Sequence, residues 1–144
     1  MKKNHRTLRK MAEFEGQALF SGIPGKLRLR PAQAGTGIVF IRTDLPNAPR
    51  LPVNPETVTS KFRRTTVQGE TGAEVDTIEH LMSALGGLEI DTVEIELNAS
   101  EVPNAGGCSD IFVQRLLEAE PVDLPEPRPI YSIREPIAIS EGDA

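Results

Sequence analysis

The chain has 144 residues, a formal net charge of −5, one cysteine and no tryptophan. That length suits one domain, or one domain and the start of another, and 38% hydrophobic residues can build a core, which excludes disorder throughout. An acidic chain with 4% aromatic residues lacks both the basic surface and the exposed rings of nucleic-acid binders, so no nucleic acid is expected as a partner.

In chain order, Thr7 to Leu19 has mixed alternation and reads as a strand, ending at a turn around Ser21, Gly22, Pro24 and Gly25. Lys26 to Arg30 alternates with a period of two, Leu27 and Leu29 against Lys26, Arg28 and Arg30, the mark of a half-buried strand. Gly37 to Arg42 is a short apolar run suited to a buried strand, and Pro46, Pro49, Pro52 and Pro55 keep the next stretch of chain irregular. Arg63 to Val67 and Ala73 to Val75 form a hairpin pattern around residues 69–72. A helix is predicted over Thr77 to Leu88 with Asp76 as N-cap, a half-buried strand over Thr92 to Leu97, and a second helix over Ile111 to Glu118 capped by Ser109 or Asp110. Pro121, Pro125, Pro127 and Pro129 read as a stiff linker, with one more strand after it over Ile130 to Ile139. The expected fold class is α+β: a two-layer sandwich of a mostly antiparallel sheet with two helices on one face. Residues 1–124 are expected to form this domain, and residues 125–144 the linker and first strand of a second domain.

Two compositional features bear on location and ligands. A lone Cys108 permits no internal disulfide and fits a reducing cytoplasm. No apolar run approaches the roughly 20 residues of a transmembrane segment, and the N-terminus lacks the apolar stretch of a signal peptide, so a cytoplasmic protein is expected. The basic cluster Lys2, Lys3, Arg6, Arg9 and Lys10 reads as a solvated terminus, or as help for an anionic ligand such as a nucleotide diphosphate.

The most informative stretch is Asp76-Thr77-Ile78-Glu79-His80-Leu81-Met82-Ser83-Ala84-Leu85-Gly86-Gly87-Leu88. At about 100° per residue, Ile78, Leu81, Met82, Leu85 and Leu88 share one arc, the core face. Glu79, His80, Ser83, Gly86 and Gly87 lie outside it. Glu79 has a bland reading as the third residue of a capping box begun by Asp76, and His80 one as a surface histidine. The chemical reading is a metal-assisted hydrolase. A hydrolytic zinc keeps about three protein ligands and one open position, and a neighbouring carboxylate can take a proton from the attacking water. His5 is the other histidine, and no second ligand cluster stands out.

The run Thr77 to Leu85 resembles the T-[IV]-E-H-L-x-[SA]-A-L signature of the UDP-3-O-acyl-N-acetylglucosamine deacetylases of lipid A biosynthesis. Ile90-Asp91 with the strand after it is similar to that family's G-[IV]-D-N segment, and Glu101-Val102-Pro103 to its E-[IV]-P. Arg6-Thr7-Leu8, the Gly16 to Gly22 turn, Gly37-Ile38-Val39-Phe40 and Arg63-Arg64-Thr65-Thr66 resemble further segments in the family's order, so the likeness covers nearly the whole chain. Two positions depart from it. Gly106-Gly107-Cys108 stands where the family has D-G-[ST], and Phe20 where it often has a histidine.

The resemblance implies two similar α+β domains with the active site between them, Zn2+ as cofactor, Glu79 as general base and His80 as a zinc ligand. It implies that the other two zinc ligands, a lysine, the general acid and most of the acyl-chain passage come from the second domain. The first expectation is therefore a zinc-dependent hydrolase that removes acetate from UDP-3-O-acyl-N-acetylglucosamine, this chain holding part of the active site and being inactive alone. The alternative is a non-catalytic, stand-alone binding or assembly domain. An RNA-binding α+β domain is a third idea, disfavoured by the acidic balance.

Overall fold

The computed structural model describes residues 3–104 and 106–142; Lys2 of the basic cluster and the last two residues of the expected second-domain segment lie outside them. The elements are β1 (Asn4–Leu8), β2 (Ala12–Gln17), β3 (Pro24–Pro31), β4 (Ile38–Arg42), β5 (Arg50–Pro52), β6 (Val58–Lys61), β7 (Arg64–Gln68), β8 (Glu74–Asp76), α1 (Glu79–Gly87), β9 (Val93–Leu97), α2 (Asp110–Glu118) and β10 (Pro121–Pro127). This is the expected α+β class.

A five-stranded sheet in the order β2-β3-β9-β4-β5 carries the architecture. Its pairings are antiparallel except β4 with β9. Alternation sorts its side chains cleanly between two faces. Leu27 lies opposite Phe14 and Leu97, and Leu29 opposite Ala12 and Ile95, all buried. On the reverse face, Arg28 pairs with Glu13 at 2.7 Å, Lys26 with Glu15 at 2.8 Å, Arg30 with Glu96 at 2.7 Å and Arg50 with Glu94 at 2.6 Å. Such exposed pairs settle register more than they stabilise, at about 0–1 kcal/mol each. The apolar face must be covered, and the helices cover it. Leu81, Ala84 and Leu85 of α1 and Phe112 and Leu116 of α2 join the same buried cluster, and the Phe112 ring sits 4.8 Å from that of Phe14.

The remaining strands position α1. β6, β7 and β8 form a three-stranded antiparallel sheet, with β8 running directly into the helix. The β7–β8 hairpin expected around residues 69–72 is present, closed by the Gly69 amide on the Ala73 carbonyl at 2.8 Å. β6 is a strand that its sequence, Val-Thr-Ser-Lys, does not announce.

Three expectations are corrected. The single strand read over Thr7 to Leu19 is two, β1 and β2, which belong to different sheets. The proline-rich stretch read as a linker is β10, paired antiparallel with β1 through Thr7↔Val122 and Leu8↔Pro121. A strand with a neighbour on one side only tolerates proline, because the missing N–H can face away from the ladder. The division expected at residues 124/125 therefore falls within a strand. The strand expected over Ile130 to Ile139 does not form. Its Ile130, Tyr131, Ile133, Ile137 and Ile139 are exposed, so no described element lies beside it to receive its hydrogen bonds. The described residues of the basic cluster pair with carboxylates elsewhere in the chain: Lys3 with Glu89, Arg6 with Asp123, and Arg9 and Lys10 with Glu120. Among the described residues no helix is long and apolar enough to cross a membrane.

The two faces of the sheet should respond very differently to truncation. Phe112→Ala should cost roughly 3–5 kcal/mol, as loss of a large buried aromatic does, whereas Arg30→Ala should cost under about 1 kcal/mol. Urea unfolding of both variants checks this, and comparable losses would refute the one-sided core.

Candidate active site

The entry into α1 differs from the predicted capping box. β8 continues through Asp76, whose carboxylate accepts a hydrogen bond from the Thr66 hydroxyl at 2.6 Å and is flanked by Lys61 Nζ at 3.1 Å and Arg64 Nε at 3.3 Å. With two cations and a hydroxyl beside it, Asp76 does not cap the helix. The N-cap position belongs to Ile78, without a side-chain cap bond, so Glu79 is the first helical residue and not the third. Thr77, just before, is buried and holds φ at +60°. A β-branched residue in that region costs on the order of 1–3 kcal/mol and persists only where its surroundings over-determine it.

Glu79 turns toward β7 and accepts the Thr65 backbone N–H on Oε2 at 3.1 Å. No hydrogen bond falls to its Oε1 among the described residues. His80 comes next, half-buried, and its ring likewise has no hydrogen-bond partner among the described residues. Ser83, Gly86 and Gly87, on the same arc of α1, are exposed, and a Cβ built at either glycine meets nothing within 4 Å. The helix therefore offers a half-tethered carboxylate and an imidazole beside a stretch of bare backbone. His5 is elsewhere and is engaged: its Nδ1 lies 3.0 Å from Asp91 Oδ2, while Asp91 Oδ1 accepts the Arg6 N–H at 2.7 Å.

The group around Glu101 is one that sequence reasoning missed. Glu101 is 3% exposed and accepts three hydrogen bonds at 2.9 Å each: Phe20 N–H and Thr77 Oγ1–H on Oε1, and Ser21 N–H on Oε2. Glu101-Val102-Pro103 was legible as a motif, but nothing local says which distant donors its carboxylate would meet. The departing positions have local explanations. The Phe20 ring packs under the Arg64 guanidinium, 5.1 Å from its centroid, a cation–π contact. Gly106 and Gly107 both hold left-handed φ, +76° and +81°, where a residue with a Cβ is strained. The Cys108 thiol donates to Asp110, and that carboxylate holds the thiol pKa above its ordinary value. Ser109 does occupy the N-cap position of α2 as predicted, but without a side-chain cap bond; Asp110 instead accepts the Ile111 N–H.

A zinc ion can be tested against these side chains. Among the described residues, no group of three or more His, Cys, Asp and Glu side chains could hold a metal ion. The unpartnered imidazole of His80 suits one ligand position, and the free Oε1 of Glu79 suits the care of a water beside it. The residues fit one side of a zinc site and not a whole one.

The described residues form an α+β fold that presents a carboxylate and an imidazole side by side on one helix, outside its core face. The chain belongs to the LpxC family, the UDP-3-O-acyl N-acetylglycosamine deacetylases, whose family model matches residues 5–144. It is 42% identical over 138 residues to the UDP-3-O-acyl-N-acetylglucosamine deacetylase of Bdellovibrio bacteriovorus, covering 96% of this chain and 45% of that protein. Proteins of the same description from Myxococcus xanthus and Aliivibrio fischeri are 39% and 37% identical, covering 97% and 96% of this chain and 44% and 45% of their own lengths. The chain thus spans less than half the length of these curated relatives.

Burial pushes the Glu101 carboxyl up, but the donors from Phe20, Ser21 and Thr77 outweigh it and hold the pKa below the ordinary 4.5. A depressed folded-state pKa contributes stability that is present above the unfolded value and lost as pH falls through the folded one. Glu101→Gln should therefore lower stability by roughly 1.5–3 kcal/mol near neutrality, and the gap to the parent should narrow as pH falls below 4.5. Urea midpoints across pH check this; a gap independent of pH would contradict it.

Proposed function

We propose that the chain forms one side of the active site of a zinc-dependent deacetylase that removes acetate from UDP-3-O-acyl-N-acetylglucosamine, with Glu79 as general base and His80 as one zinc ligand. Family membership supports the reaction class. The observation that carries the residue roles is the state of the pair on α1: Glu79 is held by one oxygen with the other free, and His80 has an uncommitted ring.

His80 would hold the metal through an imidazole nitrogen, with the further ligands supplied from outside the described residues, by a second domain of the same enzyme. Zinc bound there would polarise the acetamide carbonyl and lower the pKa of water. Thr65 N–H fixes the Glu79 carboxylate through Oε2, so Oε1 is the atom that accepts the proton of the attacking water. The bare backbone at Gly86 and Gly87 lets a second surface approach α1 closely, which shields the pair from bulk solvent. On this reading the 144-residue chain alone turns over no substrate and holds zinc weakly, since catalytic zinc needs about three protein ligands.

Two substitutions in the complete enzyme should have opposite signatures. Glu79→Gln keeps a carbonyl able to accept the Thr65 N–H, so stability should change by no more than about 1 kcal/mol. It removes the proton acceptor, so turnover should fall by roughly 10²-fold or more with zinc retained. His80→Ala should instead lose zinc, measured by metal analysis, while leaving the metal-free protein within about 0.5 kcal/mol of the parent. Full turnover per folded molecule in Glu79→Gln would refute the assignment.

A further inference from the structure

Two segments of the chain donate to the Glu101 carboxylate, and both lead to Glu79. The first leads through Thr77. Its hydroxyl donates to Glu101 Oε1, and the Asp76–Thr77 backbone is stitched to both sides of Glu101: Asp76 N–H donates to Ser100 O at 2.8 Å, and Val102 N–H to Asp76 O at 3.1 Å. Ile78 N–H then donates to Thr65 O at 3.3 Å, and Thr65 N–H returns to Glu79 Oε2 at 3.1 Å. The second leads through the turn at Phe20 and Ser21, whose amides Glu101 binds. The Phe20 ring packs under Arg64, the residue before Thr65. Thr65, which tethers the base, is therefore approached from both sides by groups that depend on one carboxylate.

We propose that Glu101 is a positioning residue for Glu79: by holding Thr77 at positive φ and the Phe20 turn beneath Arg64, it sets where the Glu79 carboxylate sits. This rests on the reading of Glu79 as the general base. The geometry demands an ionised carboxylate. All three partners donate, and both oxygens are needed. Glutamine can place its carbonyl on the Phe20 and Thr77 donors or on the Ser21 amide, but its NH2 then faces a donor on the other side. The left-handed φ of Thr77, unfavourable for a β-branched residue, shows how firmly this junction is held.

Thr77 gives the cleaner test, because Thr77→Val removes the hydroxyl and keeps the branched shape, while Thr77→Ser keeps the hydroxyl. In the complete zinc-loaded enzyme, Thr77→Val should lower kcat on the order of ten- to a hundredfold, the scale of a small misplacement of a catalytic group, with KM and zinc content essentially unchanged. Thr77→Ser should restore kcat. Glu101→Gln, where it folds, should lower kcat at least as far as Thr77→Val, and the double variant should fall no further than Glu101→Gln alone, since the Thr77 route runs through the same carboxylate. On the chain itself, hydrogen exchange of the Thr65 amide should be faster in Thr77→Val than in the parent. Unchanged kcat per folded, zinc-loaded molecule in Thr77→Val, or an equal loss in Thr77→Ser, overturns the proposal. Glu79→Gln run in parallel separates the two claims. If it abolishes turnover while Thr77→Val does not, the positioning role alone fails; if it leaves turnover intact, the reading of Glu79 fails and takes the positioning role with it.

Discussion

The structure depends on the unequal faces of one five-stranded sheet. Its inner side is Leu, Ile, Phe and Val, and its outer side is a lattice of Lys, Arg and Glu pairs. The inner side is stable only when covered, so both helices lie on it. α1 spends one arc on that contact, through Leu81, Ala84 and Leu85. The other arc, with Glu79 and His80 at its start and Gly86 and Gly87 at its end, is left to something else. The proposed catalytic pair is thus on open ground because of how the core is built, and the small residues beside it keep that ground accessible.

Much of the fold was legible where a short-range pattern decides. Strict alternation identified β3 and β9, and the arc of Ile78, Leu81 and Leu85 identified the buried side of α1. Where a distant partner decides, the pattern failed. Pro121 to Pro127 looks like a linker until β1 is seen beside it, and Ile130 to Ile139 looks like a strand although nothing described pairs with it. Asp76 looks like a cap, yet Thr66, Lys61 and Arg64, brought in by β6 and β7, take its carboxylate.

The site divides the same way. Glu79 and His80 stood out as an acid and an imidazole side by side, and the family motif assigned them roles. Their support did not stand out, because Thr65 is 14 residues from Glu79, and Glu101 is 24 from Thr77 and 81 from Phe20. Phe20 illustrates the point. From the sequence it is a lost histidine; in the structure it is a platform for Arg64, so the substitution exchanges a polar ring for a packing contact. Gly106, which stands where the family has an aspartate, and Gly107 beside it sit in a loop whose left-handed backbone suits them.

The central claim is that the open face of α1 is one side of a zinc site completed from outside this chain. Crystals of the protein joined to the part that its relatives have and this chain does not span, with diffraction collected at the zinc absorption edge, test it most directly. The account requires an anomalous peak about 2.0–2.1 Å from a ring nitrogen of His80, with Glu79 still bonded to the Thr65 amide. Zinc bound with the His80 ring outside bonding distance would contradict it.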